Sequence, residues 1–204
     1  SITILAQTQL TIANAPTSLY ANQVFTTATA SINTAPSGSL VVGFTTTGPI
    51  SSISSRTYTT NSAQSFTITA SATTGTATIT LVPSSGDTAR YSASVVYSIS
   101  ILAQSVVTLT SVPSSIYTSQ VVTVMVQPNA LPSGTVTMTV VVTGTLTALD
   151  TTVTFTDSST PLPIRLQGAT SAGSGTVRVT VTGGTDAPHF ASSTTSTITV
   201  NARS

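Results

Sequence analysis

The sequence has 204 residues, of which 78 are Ser or Thr and 4% are charged, and it contains no Lys, Glu, Cys or Trp. The absence of Cys excludes disulfides and thiolate metal sites. Five scattered arginines and a net charge of +1 give no basic patch for a nucleic acid. No apolar run approaches the roughly 18 residues that a membrane-spanning helix needs. Alternating Val, Ile and Thr indicate an all-β protein rather than a disordered one.

The first half of the chain predicts short strands in which apolar and hydroxylated residues alternate. This pattern gives each strand one apolar face and one hydroxylated face, as expected for half-buried antiparallel strands. Turn residues separate the runs at Pro36-Ser37-Gly38, Gly48-Pro49 and Ser84–Asp87. The apolar positions are Leu10-Ile12, Val24, Leu40-Val42-Phe44, Phe66-Ile68-Ala70, Ala77-Ile79-Leu81 and Val95–Ile101.

The second half repeats this pattern about 97 residues later. Tyr20 matches Tyr117 and Gln23 matches Gln120 at 97 residues, and Asp87 matches Asp186 at 99. Repeats of this length have the size of an immunoglobulin-type (Ig-like) sandwich. We therefore expect two tandem Ig-like β-sandwich domains of about seven strands each, spanning residues 1–102 and 103–204. The predicted strands of the second copy contain Val107-Leu109, Val122-Val126, Val136-Val140, Val153-Phe155, Leu162-Leu166, Val177-Val181 and Ile198-Val200.

The end of each copy carries a recognisable motif. Gly86–Ser94 consists of a Gly-Asp turn, an aromatic residue and Ala-Ser, and a strand rich in Ser, Ile and Val follows; Gly184–Ser192 is similar, although Thr185 interrupts the Gly-Asp pair. Together with Pro132–Thr137, these segments resemble bacterial Ig-like tandem repeats. The resemblance implies an extracellular surface protein such as a stalk, adhesin or filament, but members of that family are richer in Asp, Lys and Gly.

The opening segment Ser1–Gln7 is echoed by Ser98–Gln104 and, more loosely, by Thr197–Arg203. Such repetition favours a linear array, whether its joints are covalent or formed by docked subunits. The junction Ile101–Val106 lacks Gly and Pro, which predicts a stiff connection. In the docked version, residues 1–7 form an N-terminal strand extension that pairs with the preceding subunit. The predicted inter-subunit contacts are Ile2, Ile4, Leu5, Ile198 and Val200.

The near absence of charge suggests that sheet edges are either occupied by neighbours or covered. Strand edges without Lys or Glu lack the usual guards against pairing with other chains. O-linked sugars on Ser and Thr would cover such a surface, whereas no Asn-Xaa-Ser/Thr sequon is present. The leading hypothesis is a structural subunit of an extracellular or cell-surface fibre, assembled from copies of itself. The alternative is a stalk, or an adhesin or carbohydrate-binding module, of a cell-surface protein.

Candidate catalytic and ligand sites are few, and we expect neither an enzyme nor a bound metal or cofactor. His189 follows Asp186 by three residues, but no Gly-x-Ser-x-Gly elbow supplies a hydrolase nucleophile. Asp87 and Asp186 contribute one carboxylate to each loop, which is too few for calcium, so we expect them to stabilise turns. Asp150 and Asp157 flank a predicted strand and are the nearest approach to a glycosidase pair. Tyr20 and Tyr117 occupy equivalent positions and predict a structural role.

Overall fold

The computed structural model describes residues 7–203. Within that range the chain consists of strands, turns and loops, and its helical pieces are two three-residue 3-10 turns, Thr88–Arg90 and Ala187–His189. The all-β prediction is confirmed. The chain divides into two compact units between Ala103 and Gln104.

The first unit contains ten strands among the described residues. Five of them form one sheet in the order β3-β10-β8-β5-β6, three form a second sheet in the order β2-β4-β7, and β1 pairs in parallel with β9. The strands are β1 (Thr8–Gln9), β2 (Thr11–Ala13), β3 (Ser18–Tyr20), β4 (Val24–Ser31), β5 (Leu40–Thr47), β6 (Arg56–Tyr58), β7 (Gln64–Thr69), β8 (Gly75–Gly86), β9 (Tyr91–Ser92) and β10 (Tyr97–Leu102).

The two larger sheets of the first unit share one hydrophobic core. In β8, Ala77, Ile79 and Leu81 are fully buried and alternate with more exposed residues. Phe66 and Ile68, from β7 of the other sheet, belong to the same core. Burying each large side chain of this kind stabilises the fold by about 1.5–3 kcal/mol relative to exposure. The period-two pattern of the sequence is therefore the pattern of contact between the sheets.

The second unit repeats this arrangement with two five-stranded sheets. Their orders are β12-β20-β18-β14-β16 and β15-β17-β13-β11-β19. The strands are β11 (Ser105–Thr110), β12 (Ser115–Tyr117), β13 (Val121–Pro128), β14 (Thr135–Gly144), β15 (Leu146–Ala148), β16 (Thr152–Thr156), β17 (Leu162–Gly168), β18 (Gly173–Gly183), β19 (Phe190–Ala191) and β20 (Ser196–Asn201).

The core of the second unit is built at equivalent positions. Val177 and Val179 of β18 occupy the places of Ile79 and Leu81, and they pack in one core with Ile164 of the facing sheet. Valine replaces a larger apolar residue at both places, and the fold is kept because cores tolerate hydrophobic substitutions that preserve the apolar pattern.

The strand count differs from the expected seven or so per repeat. All seven segments predicted in the second copy lie in strands, and the additional strands β12, β15 and β19 have only two or three residues. Runs this short are too brief to display an alternating pattern.

One predicted turn is also displaced. Ser84–Asp87 was expected to be a turn, but β8 continues through Gly86, which pairs with Leu40. Gly86 has a φ of +82°, and a Cβ atom there would lie 2.0 Å from the Ser39 carbonyl oxygen. Glycine is required because other residues strongly disfavour this conformation and would also clash. The chain turns only after Gly86, at Asp87.

Candidate functional site

An aspartate at the start of the first 3-10 turn joins that turn to the Pro36–Gly38 loop. The backbone N–H and the hydroxyl of Ser37 both donate to Asp87 Oδ2 at 3.0 Å, and Arg90 Nη1 lies 3.2 Å from the same oxygen. The hydrogen bond from the Ser37 backbone, helped by its hydroxyl and by Arg90, holds the pKa of Asp87 below its usual range. The ionised carboxylate therefore connects the two loops.

The second unit has an equivalent aspartate, Asp186, which is more buried. Ser133 donates its backbone N–H to Asp186 Oδ2 at 2.9 Å and its hydroxyl to Asp186 Oδ1 at 3.2 Å. His189 Nδ1 contacts Asp186 Oδ1 directly. The Asp186 residue is only 4% exposed. A buried carboxylate needs such partners because its desolvation is otherwise costly.

The glutamine just before the first strand of each unit binds the same turn through its side chain. Gln7 Nε2 donates to the Ala89 carbonyl at 3.0 Å, and Gln104 Nε2 donates to the Pro188 carbonyl at 2.9 Å. In both units the acceptor is the middle residue of the 3-10 turn. We call each set of four side chains a turn clamp. The first clamp consists of Gln7, Ser37, Asp87 and Arg90, and the second of Gln104, Ser133, Asp186 and His189.

The second clamp contains a serine, a histidine and an aspartate, but their order is not that of a hydrolase. The Ser133 hydroxyl donates to Asp186, whereas a nucleophilic serine must donate to the imidazole. Calcium coordination requires six to eight oxygen ligands, and each clamp offers one carboxylate. Among residues 7–203, no group of three or more His, Cys, Asp or Glu side chains is placed to hold a metal ion.

Asp150 forms an ion pair with Arg165 rather than a carboxylate pair with Asp157. Arg165 donates to Asp150 through Nε at 3.0 Å, through Nη2 at 2.9 Å and through its backbone N–H at 2.8 Å. The side-chain hydrogen bonds from Arg165 are the main cause that lowers the pKa of Asp150. Asp157 lies in a turn with a φ of +46°, where its backbone N–H donates to the Gly134 carbonyl at 3.3 Å.

The ion pair of Asp150 and Arg165 also lies at a sheet edge. Because the sequence has few charges, we expected such edges to lack charged residues that prevent pairing with other chains. β15 pairs with Leu166–Gly168 of β17, and the Asp150 carboxylate then caps the backbone N–H of Arg165. In the first unit, Arg56 Nε caps the Ser65 carbonyl of β7 at 3.2 Å. Single charged side chains thus occupy backbone groups at these edges, which limits their pairing with other chains.

The equivalent tyrosines form matching turns through their backbone groups, whereas a structural role of their side chains stays a prediction. The backbone N–H groups of Tyr20 and Tyr117 each donate to the side-chain oxygen of a glutamine three residues later, Gln23 or Gln120, at 2.8 Å. Each glutamine backbone N–H returns a bond of 3.0 Å to the tyrosine carbonyl. The pair closes a tight turn between β3 and β4, and again between β12 and β13.

A buried serine in each unit, which the sequence did not single out, fixes the segment after the clamp. Ser94 Oγ accepts the Leu81 backbone N–H at 2.9 Å, and Ser193 Oγ accepts that of Val179 at 2.9 Å. Both serines are 8% exposed. The repeated Ala-Ser and Ser-Ser pairs after the aromatic residue were the available signal, but hydroxyl-rich surroundings concealed it.

The predicted inter-subunit contacts fall into two groups. Ile2, Ile4 and Leu5 lie outside the described residues. Ile198 and Val200 are buried in the core of their own unit, at 0% and 1% exposure, and their strand β20 is paired with β12 and β18. Contact between subunits through any of these residues stays a prediction.

No family model and no curated protein sequence matches the chain. Solved structures similar to it include the Escherichia coli adhesin FdeC, at 18% identity and a TM-score of 0.43, with 99% of this chain and 66% of that chain covered. The Yersinia pseudotuberculosis adhesin InvE is similar at 16% identity and a TM-score of 0.37, with 96% and 58% covered.

Escherichia coli alpha-2-macroglobulin is similar at 12% identity and a TM-score of 0.39, with 95% of this chain and 17% of that chain covered. The chain thus spans about two thirds of the FdeC structure and less of the other two. At such identities and TM-scores, the function has to be argued from the residues of the chain itself.

In residues 7–203 no helix has the length and apolar character to span a membrane.

Proposed function

We propose that this chain is a non-catalytic structural segment of an extracellular or cell-surface fibre, in which Ig-like β-sandwich domains follow one another head to tail. The two domains are residues 1–102 and 103–204. The partners are further copies of the same chain, and the proposal requires no cofactor.

The observation that carries this proposal is the equivalence of Gln7 and Gln104. Gln104 lies two residues after β10, so its bond to Pro188 fixes the start of a unit that follows another unit directly. Gln7 makes the same bond to Ala89 at the start of the first unit. The first unit is therefore built at its start like a unit inside an array. Repeated units with equivalent joints are the pattern of linear assemblies.

Docking between chains would use strand addition by the extension 1–7, with Ile2, Ile4 and Leu5 as the inserted side chains and Gln7 still bonded to its own unit. Because β20 is paired on both sides, the added strand would pair with an outer strand of that sheet, either β12 or β16. Such a contact is heterologous and does not close, so it generates filaments. In a covalent array, the same joints would be peptide bonds.

The hydroxylated faces would carry O-linked sugars. On β16, an outer strand, Thr152, Thr154 and Thr156 are exposed while Val153 and Phe155 point into the core. Sugars on this strand would cover an edge that lacks Lys and Glu and would leave β12 as the edge for docking. Intact-mass measurement of the native protein tests this part, because an unmodified mass would remove it.

Sedimentation velocity over a range of concentrations tests docking between chains. We expect the full chain to form a series of linear oligomers, and a variant lacking residues 1–7 to sediment as a monomer with an unchanged β-sheet circular dichroism spectrum. The triple variant with Ile2→Thr, Ile4→Thr and Leu5→Thr should also be monomeric. A full chain that is monomeric at every concentration, or truncated chains that still assemble, would overturn docking by strand addition.

A matched control uses exposed apolar residues elsewhere. Val95 and Val96 are 71% and 61% exposed, and the second unit has Thr194 and Thr195 at the equivalent positions. Val95→Thr with Val96→Thr removes exposed apolar surface but keeps residues 1–7. This variant should assemble like the unmodified chain. Loss of assembly here would show that exposed hydrophobicity in general, rather than residues 1–7, drives association.

A further inference from the structure

In each unit the last strand pairs in parallel with a strand near the start of that unit. In the first unit β10 pairs with β3, so that Ser100 lies opposite Ser18 and Ile101 lies opposite Leu19. In the second unit β20 pairs with β12 in the same way. We call these two pairings the terminal pairs. Their strands run in the same direction although they come from opposite ends of a unit.

The direction of these strands decides how a terminal pair responds when a unit is pulled at its two ends. Once the short strands β1 and β2 have detached, tension reaches β3 from the start of the first unit and β10 from its end. Because the strands are parallel, this tension pulls them in opposite directions along their own axes. The hydrogen bonds of a parallel pair are evenly spaced. Such a force therefore loads all of them together, whereas a force that peeled the strands apart would break them one at a time.

The backbone of the two terminal pairs is equivalent. Each pair is bounded by two further backbone hydrogen bonds, one of 3.0 Å at its start and one of 2.9 Å at its end. A difference between the pairs therefore has to come from side chains. The bounding bonds run from Ser100 N–H to the Thr17 carbonyl, from Ala21 N–H to the Leu102 carbonyl, from Thr199 N–H to the Ser114 carbonyl and from Thr118 N–H to the Asn201 carbonyl.

A side-chain hydrogen bond distinguishes the first terminal pair from the second. Tyr97, the first residue of β10, donates its hydroxyl to the Ala15 carbonyl at 2.6 Å. Ala15 lies between β2 and β3, so this bond joins the last strand to the segment that tension pulls towards the start of the unit. The equivalent of Tyr97 in the second unit is Ser196, since Ile99 matches Ile198. A serine side chain is too short to replace this bond.

We propose that tension along the chain unfolds the second unit before the first, because the Tyr97 hydroxyl reinforces the terminal pair of the first unit alone. Unfolding under force is governed by the unfolding rate. A bond slows unfolding only if it breaks before the barrier is crossed. The bond from Tyr97 to Ala15 meets this condition, because it joins the two segments that tension separates first. A chain under load then lengthens by one unit while the other stays folded.

The idea that such tension acts on the chain within a fibre rests on the proposed function, but the order of unfolding in a single chain does not. Single-molecule force spectroscopy of the full chain, held by its two ends at constant force, measures that order. The unmodified chain should lengthen in two steps of similar size, since the units have similar lengths, but at different rates. Tyr97→Phe should raise the slower rate by about two- to tenfold, the effect of losing one hydrogen bond, and leave the faster rate unchanged.

Tyr58→Phe is the matched control, because it removes a tyrosine hydroxyl bond of similar length from the same unit. That bond joins Tyr58 of β6 to the Ala30 carbonyl of β4 at 2.7 Å, and neither strand belongs to a terminal pair. Both variants should lower the equilibrium stability of the first unit in urea, but only Tyr97→Phe should change the slower rate under force.

Three results would overturn the proposal: equal rates for the two steps of the unmodified chain, a change of the faster rate in Tyr97→Phe, or equal effects of Tyr97→Phe and Tyr58→Phe under force. Because single tethered chains are measured, none of these results bears on whether chains assemble.

Discussion

Replacing Tyr58 with Phe removes one buried hydrogen bond from the first unit. Tyr58 is 1% exposed, and its hydroxyl donates to the Ala30 carbonyl at 2.7 Å. The second unit has Phe155 at the equivalent position, so the fold itself accommodates an apolar ring there. In Tyr58→Phe the Ala30 carbonyl loses this donor while it stays buried. The expected cost is about 1–2 kcal/mol of unfolding free energy.

In a unit of about 100 residues, each kcal/mol corresponds to about 4–8 °C in Tm. Thermal and urea unfolding followed by circular dichroism should therefore show a clear loss of stability in Tyr58→Phe. Tyr117→Phe is the matched control, because Tyr117 is 53% exposed and its substitution should change stability by less than about 0.5 kcal/mol. Equal stabilities of the two variants would refute the assignment of a stabilising role to the Tyr58 hydroxyl.

The same residue predicts a response to alkaline pH. Burial raises the pKa of Tyr58 to about 12, while the nearby Arg56 charge opposes part of that rise. Because the pKa is higher in the folded state, the unfolded chain loses this proton first. The associated stability is fully present below about pH 10 and is lost as the pH rises towards 12. The advantage of the unmodified chain over Tyr58→Phe should therefore shrink across this interval, and a constant difference would contradict the argument.

Two further predictions concern the buried serines and the ion pair. Ser94→Ala and Ser193→Ala should each cost about 1–3 kcal/mol, measured by urea unfolding, because a buried backbone N–H loses its acceptor; an effect below 0.5 kcal/mol in both would argue against the assigned role. Since the pKa of Asp150 is lowered in the folded state, its pairing with Arg165 stabilises the fold above the ordinary Asp range and is lost as the pH falls. The stability difference between the unmodified chain and Asp150→Asn should therefore narrow below about pH 4, and a difference that persists would contradict this assignment.

The sequence was sufficient to predict the fold class because its hydrophobic pattern records contacts between sheets. Val177 and Val179, or Ile79 and Leu81, alternate with hydroxylated residues, and the structure buries the apolar members. Short strands such as β15 were not predictable in this way, since three residues pair through backbone groups and carry no alternation. Gly86 misled the prediction because glycine is typical of turns, whereas here it lies at the end of a long strand.

The turn clamps were only partly predictable. The matching positions of Asp87 and Asp186 indicated turn-stabilising carboxylates, and both carboxylates do bind a serine in a neighbouring loop. That serine lies about 50 residues away in the chain, and only the fold brings it close. Gln7 and Gln104 lie at matching positions of the repeated segments, but their bonds to the 3-10 turns depend on where each turn lies in the folded unit. Long-range polar contacts of this kind leave little trace in a single sequence.

The clamps also explain how a chain with few charges uses those it has. Of its four aspartates, Asp87 and Asp150 each pair with an arginine, Asp186 contacts His189, and all three accept a backbone N–H. Charge-assisted hydrogen bonds are stronger and shorter than neutral ones. These few charged residues fix loops and a sheet edge. The rest of the surface can therefore consist largely of hydroxylated residues.

Electron microscopy of the purified full chain tests the head-to-tail array most directly. The account predicts unbranched filaments whose axial repeat contains two β-sandwich units, and chains lacking residues 1–7 should give only separate two-unit particles if the joints are docked. Separate particles or closed rings from the full chain, under conditions that keep it folded and concentrated, would contradict assembly of this chain into a fibre.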